Sequence, residues 1–214
     1  MPRQNRVTPF GDIIATPERG KFMGNRGVLH DDEGRIRRGW QVKRWIVCVL
    51  EFRGRHRAVM TPGRYTELFF LDEATALAAG HRPCAECRHA RFIDFCNAWG
   101  KAHLAEGTSG RPTAEEIDRR LHAERLAPDR SKRSFVAALD ELPDGVIVTV
   151  ATWGEQAYVV WGDRLLVWSP GGYGERRQRP KGEGVRVLTP KSTVAAIRAG
   201  YFPEVHLSAT RLHE

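Results

Sequence analysis

The stretch Phe69-Phe70-Leu71-Asp72-Glu73-Ala74-Thr75-Ala76-Leu77-Ala78-Ala79-Gly80-His81-Arg82-Pro83-Cys84-Ala85-Glu86-Cys87-Arg88 holds a strand end, a capped helix, a glycine stop and a Cys-x-x-Cys turn in that order. Thr66 to Phe70 reads as a short strand. Asp72 is placed to cap a helix over Glu73 to Ala79, because its carboxylate accepts first-turn N–H groups. Ala74, Leu77 and Ala78 fall on one face, and Gly80 stands where a helix ends in left-handed backbone. A second helix is expected from Arg88 to Trp99, with Phe92, Phe95, Cys96 and Trp99 forming one apolar stripe.

The 214-residue chain has 4 cysteines, too few for a disulfide scaffold. In a reducing compartment a close cysteine pair holds metal or does redox work. A redox pair of the thioredoxin kind follows a strand, whereas here a helix precedes it, which favours a metal. Zinc takes four tetrahedral ligands, usually thiolate or imidazole. Cys84 and Cys87 supply two of them, and Pro83 stiffens the approach to the turn. Cys48, on a predicted strand, and His56 are the leading candidates for the others, with His30, His81 and His89 as further alternatives. Cys96 lies on the apolar stripe and is expected in the core.

Residues 69–88 resemble the Ada-type zinc-binding domain, which repairs methylphosphotriesters in DNA. The match runs through Phe69, Phe70, Ala76, Ala78, Ala79, Gly80, Arg82, Pro83, Cys84 and Cys87 without a gap. The resemblance implies that Cys84 and Cys87 are zinc ligands in a DNA-binding unit. In that family an upstream cysteine pair completes the site, and one of its members accepts the methyl group. Ungapped alignment puts Arg53 and Arg57 near those places, and Cys48 is the only upstream cysteine here. Pro83-Cys84-x-x-Cys87 also fits half of the zinc-deaminase signature. The His-x-Glu half is missing, because the residue two after His56 is Ala58, and His122-Ala123-Glu124 comes after the cysteines.

The net charge of +8 is unevenly placed. Between Arg35 and Arg64 stand 9 Lys or Arg against Glu51 alone, a surplus equal to that of the whole chain. Concentrated positive charge suits phosphate neutralisation with counterion release. Arg53, Arg55, Arg57, Arg82 and Arg88, around the cysteine motif, are the expected phosphate contacts. A solvated basic face is the competing reading. Glu67, Asp31 and His30 are the residues from which a hydrolytic site could be built. Met23-Gly24-Asn25-Arg26-Gly27 could form a phosphate-cradling nest.

Elsewhere, residues 1–40 read as glycine-rich loop and Arg44 to Phe52 as a buried strand. His56 to Met60 reads as a returning strand, and Gly107 to Pro112 as a linker. Thr113 with Glu116 forms a capping box that opens a helix to about Arg125. Phe135 to Leu139 reads as a helix and Val146 to Val150 as a strand. Tyr158 to Trp161 and Leu165 to Trp168 read as a hairpin about Gly162-Asp163. Gly171 to Gly184 reads as a mobile loop and Val185 to Leu188 as a strand, followed by a helix opened by Thr189-Pro190.

The expected class is α+β: a small zinc-stabilised N-terminal β/α unit, a helical segment and a C-terminal antiparallel β region. The boundary falls between residues 1–106 and 107–214, with packing as a single unit left open. No run approaches the ~18 apolar residues of a membrane span, and Met-Pro-Arg-Gln-Asn-Arg is no secretory leader, so a cytoplasmic location is expected. The leading functional expectation is a zinc-containing DNA-binding protein acting in DNA repair or modification. The alternatives are a nuclease or glycosylase with a structural zinc knuckle, and a zinc-stabilised protein-interaction module.

Overall fold

The structure, a computed structural model, describes residues 1–54, 58–104 and 111–210. At its centre is helix α1 (Glu73–Ala78), all of whose residues are buried. Asp72 stands before it in extended backbone and its Oδ1 accepts the Thr75 N–H at 2.8 Å, as the cap pattern predicts. Gly80 ends it at φ 90°, a backbone that a side chain would strain.

Small residues let α1 touch both sheets. Ala76 and Ala79 pack with Phe22, Val47, Leu68 and Phe70. Those residues belong to a mixed sheet of β1 (Gln4–Val7), β2 (Ile13–Ala15), β3 (Phe22–Asn25), β4 (Ile46–Cys48), β5 (Leu68–Phe70) and β6 (Arg82–Pro83), in the order β2-β1-β5-β3-β4-β6. Ala74 and Ala78 pack with Ile147, Val159 and Leu166. These come from a second sheet built of β7 (Phe135–Ala138), β8 (Ile147–Thr149), β9 (Tyr158–Trp161), β10 (Arg164–Ser169), β11 (Gly172–Gln178) and β12 (Gly184–Val187). Its order is β11-β10-β9-β8-β12-β7, and every neighbouring pair is antiparallel.

Leu77 joins a third core with α2 (His89–His103), α3 (Ala114–Arg125) and α4 (Lys191–Arg198). There Phe95, Cys96, Trp99, Ile117, Leu121 and Ile197 cover the second sheet. The fold is α+β, with the cysteine motif in the N-terminal half and an antiparallel sheet at the C-terminus. Cores are shared across the 105–112 region where the sequence suggests a boundary. No helix among the described residues is long and apolar enough to cross a membrane.

Several expectations change. The glycine-rich first 40 residues contain β1, β2 and β3, strands of 3 or 4 residues, too short to show alternation between glycines. Phe135 to Ala138 is strand β7, not helix, and pairs with β12; five residues carry too little periodicity to decide. Gly172 to Gln178, read as a mobile loop, is β11, paired along β10. Sheet pairing supplies there what local propensity does not. Thr189 accepts the Ile147 N–H at 3.0 Å instead of capping α4, whose cap position is held by Pro190. The strand expected at 44–52 shortens to β4. Ala58 to Met60 forms no strand, and His56, Gly107 and the three residues after it lie outside the described residues.

Two adjacent buried carboxylates tie these layers together. Asp72 accepts from Thr75 N and Oγ1, the Tyr173 hydroxyl and the His206 N–H. Burial nonetheless pushes the pKa of its carboxyl above the ordinary range. Glu73 accepts from Arg88 and Arg91 of the knuckle side, from the Tyr201 hydroxyl and from the Glu204 N–H. Burial pushes the Glu73 carboxyl up, but Arg88 and Arg91 outweigh it and hold it below the usual range. A carboxyl depressed on folding contributes stability at neutral pH that is lost as pH falls through its folded value. Glu73→Gln, which leaves Arg88 and Arg91 without their shared anion, is expected to cost about 3 kcal/mol in urea unfolding at pH 7. The same variant should lose less stability than wild type on acidification below pH 5, and parallel acid profiles would refute this role of the charge.

Candidate metal centre

Sheet register builds the centre. Strands β4 and β6 run parallel, with Ile46 opposite Arg82 and Val47 opposite Pro83. The ladder continues one step as the Cys84 N–H donates to Val47 O at 2.9 Å. This register sets Cys84 beside Cys48. The chain then turns tightly, with the Arg88 N–H on Cys84 O at 3.2 Å, and returns Cys87 to the same spot. The Cys48, Cys84 and Cys87 sulfurs all lie within 4.8 Å of one another. Tetrahedral zinc with bonds near 2.3 Å needs sulfurs about 3.8 Å apart, so small shifts close the set. These three cysteines could hold a metal ion.

The backbone favours negative sulfur here. The Glu86 N–H points at Cys84 Sγ at 3.4 Å, and the Cys87 N–H also supports that sulfur. The Cys84 thiol is drawn well down by hydrogen bonds from the Cys48 and Cys87 thiols, against the opposing effect of burial. Cys48 is pushed up by sharing its proton with Cys84 and Cys87 and by burial. For Cys87 the Cys48 contact pulls down, but Cys84 and burial prevail and leave it raised. A soft divalent cation bound here would displace the protons that these thiols share.

The arginines flanking the turn hold it rather than face solvent, which corrects the expectation that Arg82 and Arg88 contact phosphates. Arg82 is 2% exposed and forms a two-pronged pair with Asp118 of α3, Nε–Oδ1 2.9 Å and Nη2–Oδ2 2.8 Å. Arg88 is 5% exposed and pairs with Glu73 at 2.7 Å and with Glu204. Buried guanidiniums require such partners, so their charge is spent on anchoring both ends of the knuckle.

Among the described residues no fourth His, Cys, Asp or Glu joins the three sulfurs. His56 lies outside the described residues, as do Arg55 and Arg57. His30 is buried against Thr66 Oγ1 at 2.6 Å, His81 meets the Arg26 Nε at 3.3 Å, and His89 Nδ1 donates to Ala85 O. Cys96 is in the apolar core, as its position on the stripe predicts.

The centre opens on a cleft of about 610 Å³. Strand alternation builds it: Met23 and Asn25 of β3, Ile46 and Cys48 of β4, and Phe69 of β5 share one face with Glu67. Phe22, Val47, Leu68 and Phe70, their neighbours in sequence, face the core. Phe52, Tyr65 and Arg44 complete its walls. The period-two pattern of the short strands is the signal that could have located these wall residues, but it spans too few positions to stand out. Of the three carboxylate and imidazole candidates only Glu67 lines this cleft. Asp31 binds Arg35 and Arg37 and the backbone of its own loop, and His30 supports the loop to Thr61 and Thr66. The Met23–Gly27 nest is not formed, since Met23 to Asn25 lie in β3.

No protein-family model, curated protein or solved structure matches the chain significantly.

The geometry makes two outcomes checkable. Elemental analysis of the purified chain should find about one divalent ion per chain, and Cys48→Ser, Cys84→Ser or Cys87→Ser should each reduce its affinity at least tenfold. Cys96→Ser should leave the metal in place. A folded wild-type chain that neither holds nor takes up a thiophilic metal would refute the site.

Proposed function

We propose that this chain is a zinc-holding nucleic-acid-binding protein, with DNA as its partner, docking on the cysteine-bearing sheet face. The observation that carries the reading is the position of the cysteine centre in a cleft with aromatic walls and a basic margin. Three thiols with N–H support suit zinc over harder cations. Cys48, Cys84 and Cys87 would hold it, and when bound it would supply Lewis acidity at its remaining position.

Arg44 lines the cleft, and Arg38, Lys43, Arg53 and Arg64 from the same sequence segment are exposed. None of these five is in an ion pair among the described residues, so their charge is open to phosphate. Phe52, Tyr65 and Phe69 offer rings of the kind on which unpaired bases stack. The Ada-type resemblance of residues 69–88 supports the same partner.

The test is fluorescence anisotropy with labelled single- and double-stranded DNA across a salt series. Affinity should fall steeply with salt, and the double variant Arg44→Glu/Arg53→Glu should bind at least tenfold more weakly at low salt. Absence of binding at low ionic strength to either form would sink the proposal.

A second reading, an enzyme acting on nucleic acid, is favoured by Glu67. Its Oε2 accepts the Met60 N–H at 2.7 Å, while its Oε1 is buried with no hydrogen-bond partner among the described residues. A buried, half-satisfied carboxylate beside a metal-binding set suits a general base. On this reading Glu67→Gln abolishes strand cleavage or base release and leaves DNA affinity within a factor of two. Equal activity in the variant removes the enzyme reading without touching the binding one.

A further inference from the structure

Trp45, the residue before β4, lines a second cavity of about 610 Å³ that shares no residue with the cysteine cleft. Three cations meet there: Arg26 after β3, Arg125 from the last turn of α3, and Lys132. Arg26 is 2% exposed and Arg125 1% exposed. Both guanidinium carbons lie against the Trp45 indole, at 4.0 Å and 3.8 Å from its centroid.

Every hydrogen-bond partner of these cations among the described residues is neutral. Arg26 donates to Gly11 O, Gly39 O and His81 Nε2. Arg125 donates to Gly80 O and Lys43 O and meets His122 Nδ1. Lys132 donates to Ala78 O. His81 is itself held uncharged by burial and by Arg26 and Arg125. The Arg26 Nη2 and Arg125 Nε atoms are buried and have no hydrogen-bond partner among the described residues. Asp12 and Glu155 line the cavity but form no ion pair among the described residues, and Asp118, near Arg125, is engaged by Arg82.

Grouping like charges in a buried place is unfavourable when no ion pair closes on them, and Asp12 acts on Arg26 and Lys132 only from a distance. Burial pushes Arg26 down to about 9 against the opposing pull of Asp12. Burial and the Arg26 charge push Arg125 down to about 8, and burial with both arginines pushes Lys132 to about 7, again against Asp12. The backbone is shaped to admit the cluster. A Cβ on Gly80 would fall 2.6 Å from Arg125 Cδ, so the helix-stopping glycine is also the gap through which Arg125 enters.

We propose that this cavity binds the phosphate of a small phosphomonoester, with Arg26, Arg125 and Lys132 around the dianion. The Arg26 Nη2, the Arg125 Nε and the Lys132 ammonium supply N–H donors and a summed positive charge that suit a phosphate dianion better than a single carboxylate. Phe10, Ile36 and Trp40 provide apolar wall for the organic part, and the volume falls within the range of small-molecule sites. The site stands apart from the cysteine centre and does not depend on the nucleic-acid reading.

The test uses the full chain, thermal unfolding and calorimetric titration, with inorganic phosphate and phenyl phosphate as probes at ionic strength matched by sodium chloride. Both probes should raise the melting temperature saturably, phenyl phosphate at lower concentration. Lys132→Met should weaken both at least tenfold while its ligand-free melting temperature equals or exceeds that of wild type, because a half-buried cation set among like charges is gone. Gly80→Ala, which displaces Arg125, should lose the response as well. Cys84→Ser and Arg44→Glu should retain it, separating this site from the cleft. Absence of a saturable shift with both probes, or an unchanged response in a folded Lys132→Met, overturns the proposal.

Discussion

Asp72 and Glu73 are both fully buried. A buried carboxylate is tolerable only if its oxygens are supplied with donors, and here the donors come from distant segments: Arg88 at the cap of α2 and Arg91 within it, Tyr173 of β11, and Tyr201, Glu204 and His206 near the C-terminus. Satisfying two adjacent side chains therefore brings the knuckle helix and the C-terminal chain onto one six-residue helix. The alanines of that helix then let both sheets approach it closely, and the apolar clusters form around this arrangement.

The same constraint positions the cysteine turn. Arg88 follows Cys87 directly and is fastened to Glu73, while Arg82 precedes Cys84 and is fastened to Asp118. With both flanks fixed, the parallel register of β4 and β6 brings Cys48 to the pair. Arginines on either side of a metal-type motif look like phosphate ligands by sequence, but two of them are internal struts. The solvent-exposed positive charge of this segment lies instead on residues such as Arg38, Lys43, Arg44, Arg53 and Arg64.

The N-terminal sheet separates two kinds of chemistry by strand alternation. One face carries the sulfurs and Glu67, and the other is apolar against α1. Beyond its edge, Trp45 meets the guanidiniums of Arg26 and Arg125. Gly80 serves both arrangements, ending α1 and leaving room for Arg125.

Local chemistry made part of this legible in the sequence. The Asp72 cap, the Gly80 stop, the Thr113–Glu116 capping box, the hairpin at Gly162 and the pairing of Cys48 with Cys84 and Cys87 are all written in residues a few positions apart or in a strand with strong β character. The short strands of the first 25 residues, β7 and β11 were not, because each is stabilised by partners far along the chain rather than by its own pattern. Nor could the sequence separate buried arginines from solvated ones, since Arg26, Arg82, Arg88 and Arg125 look no different from Arg38 or Arg53 until tertiary packing decides which carboxylates, carbonyls and rings surround them. Sequence alone determined the cysteine motif and the helix that precedes it. Only the folded chain decided where each cation and carboxylate stands, because burial and counter-charge are properties of the assembled layers.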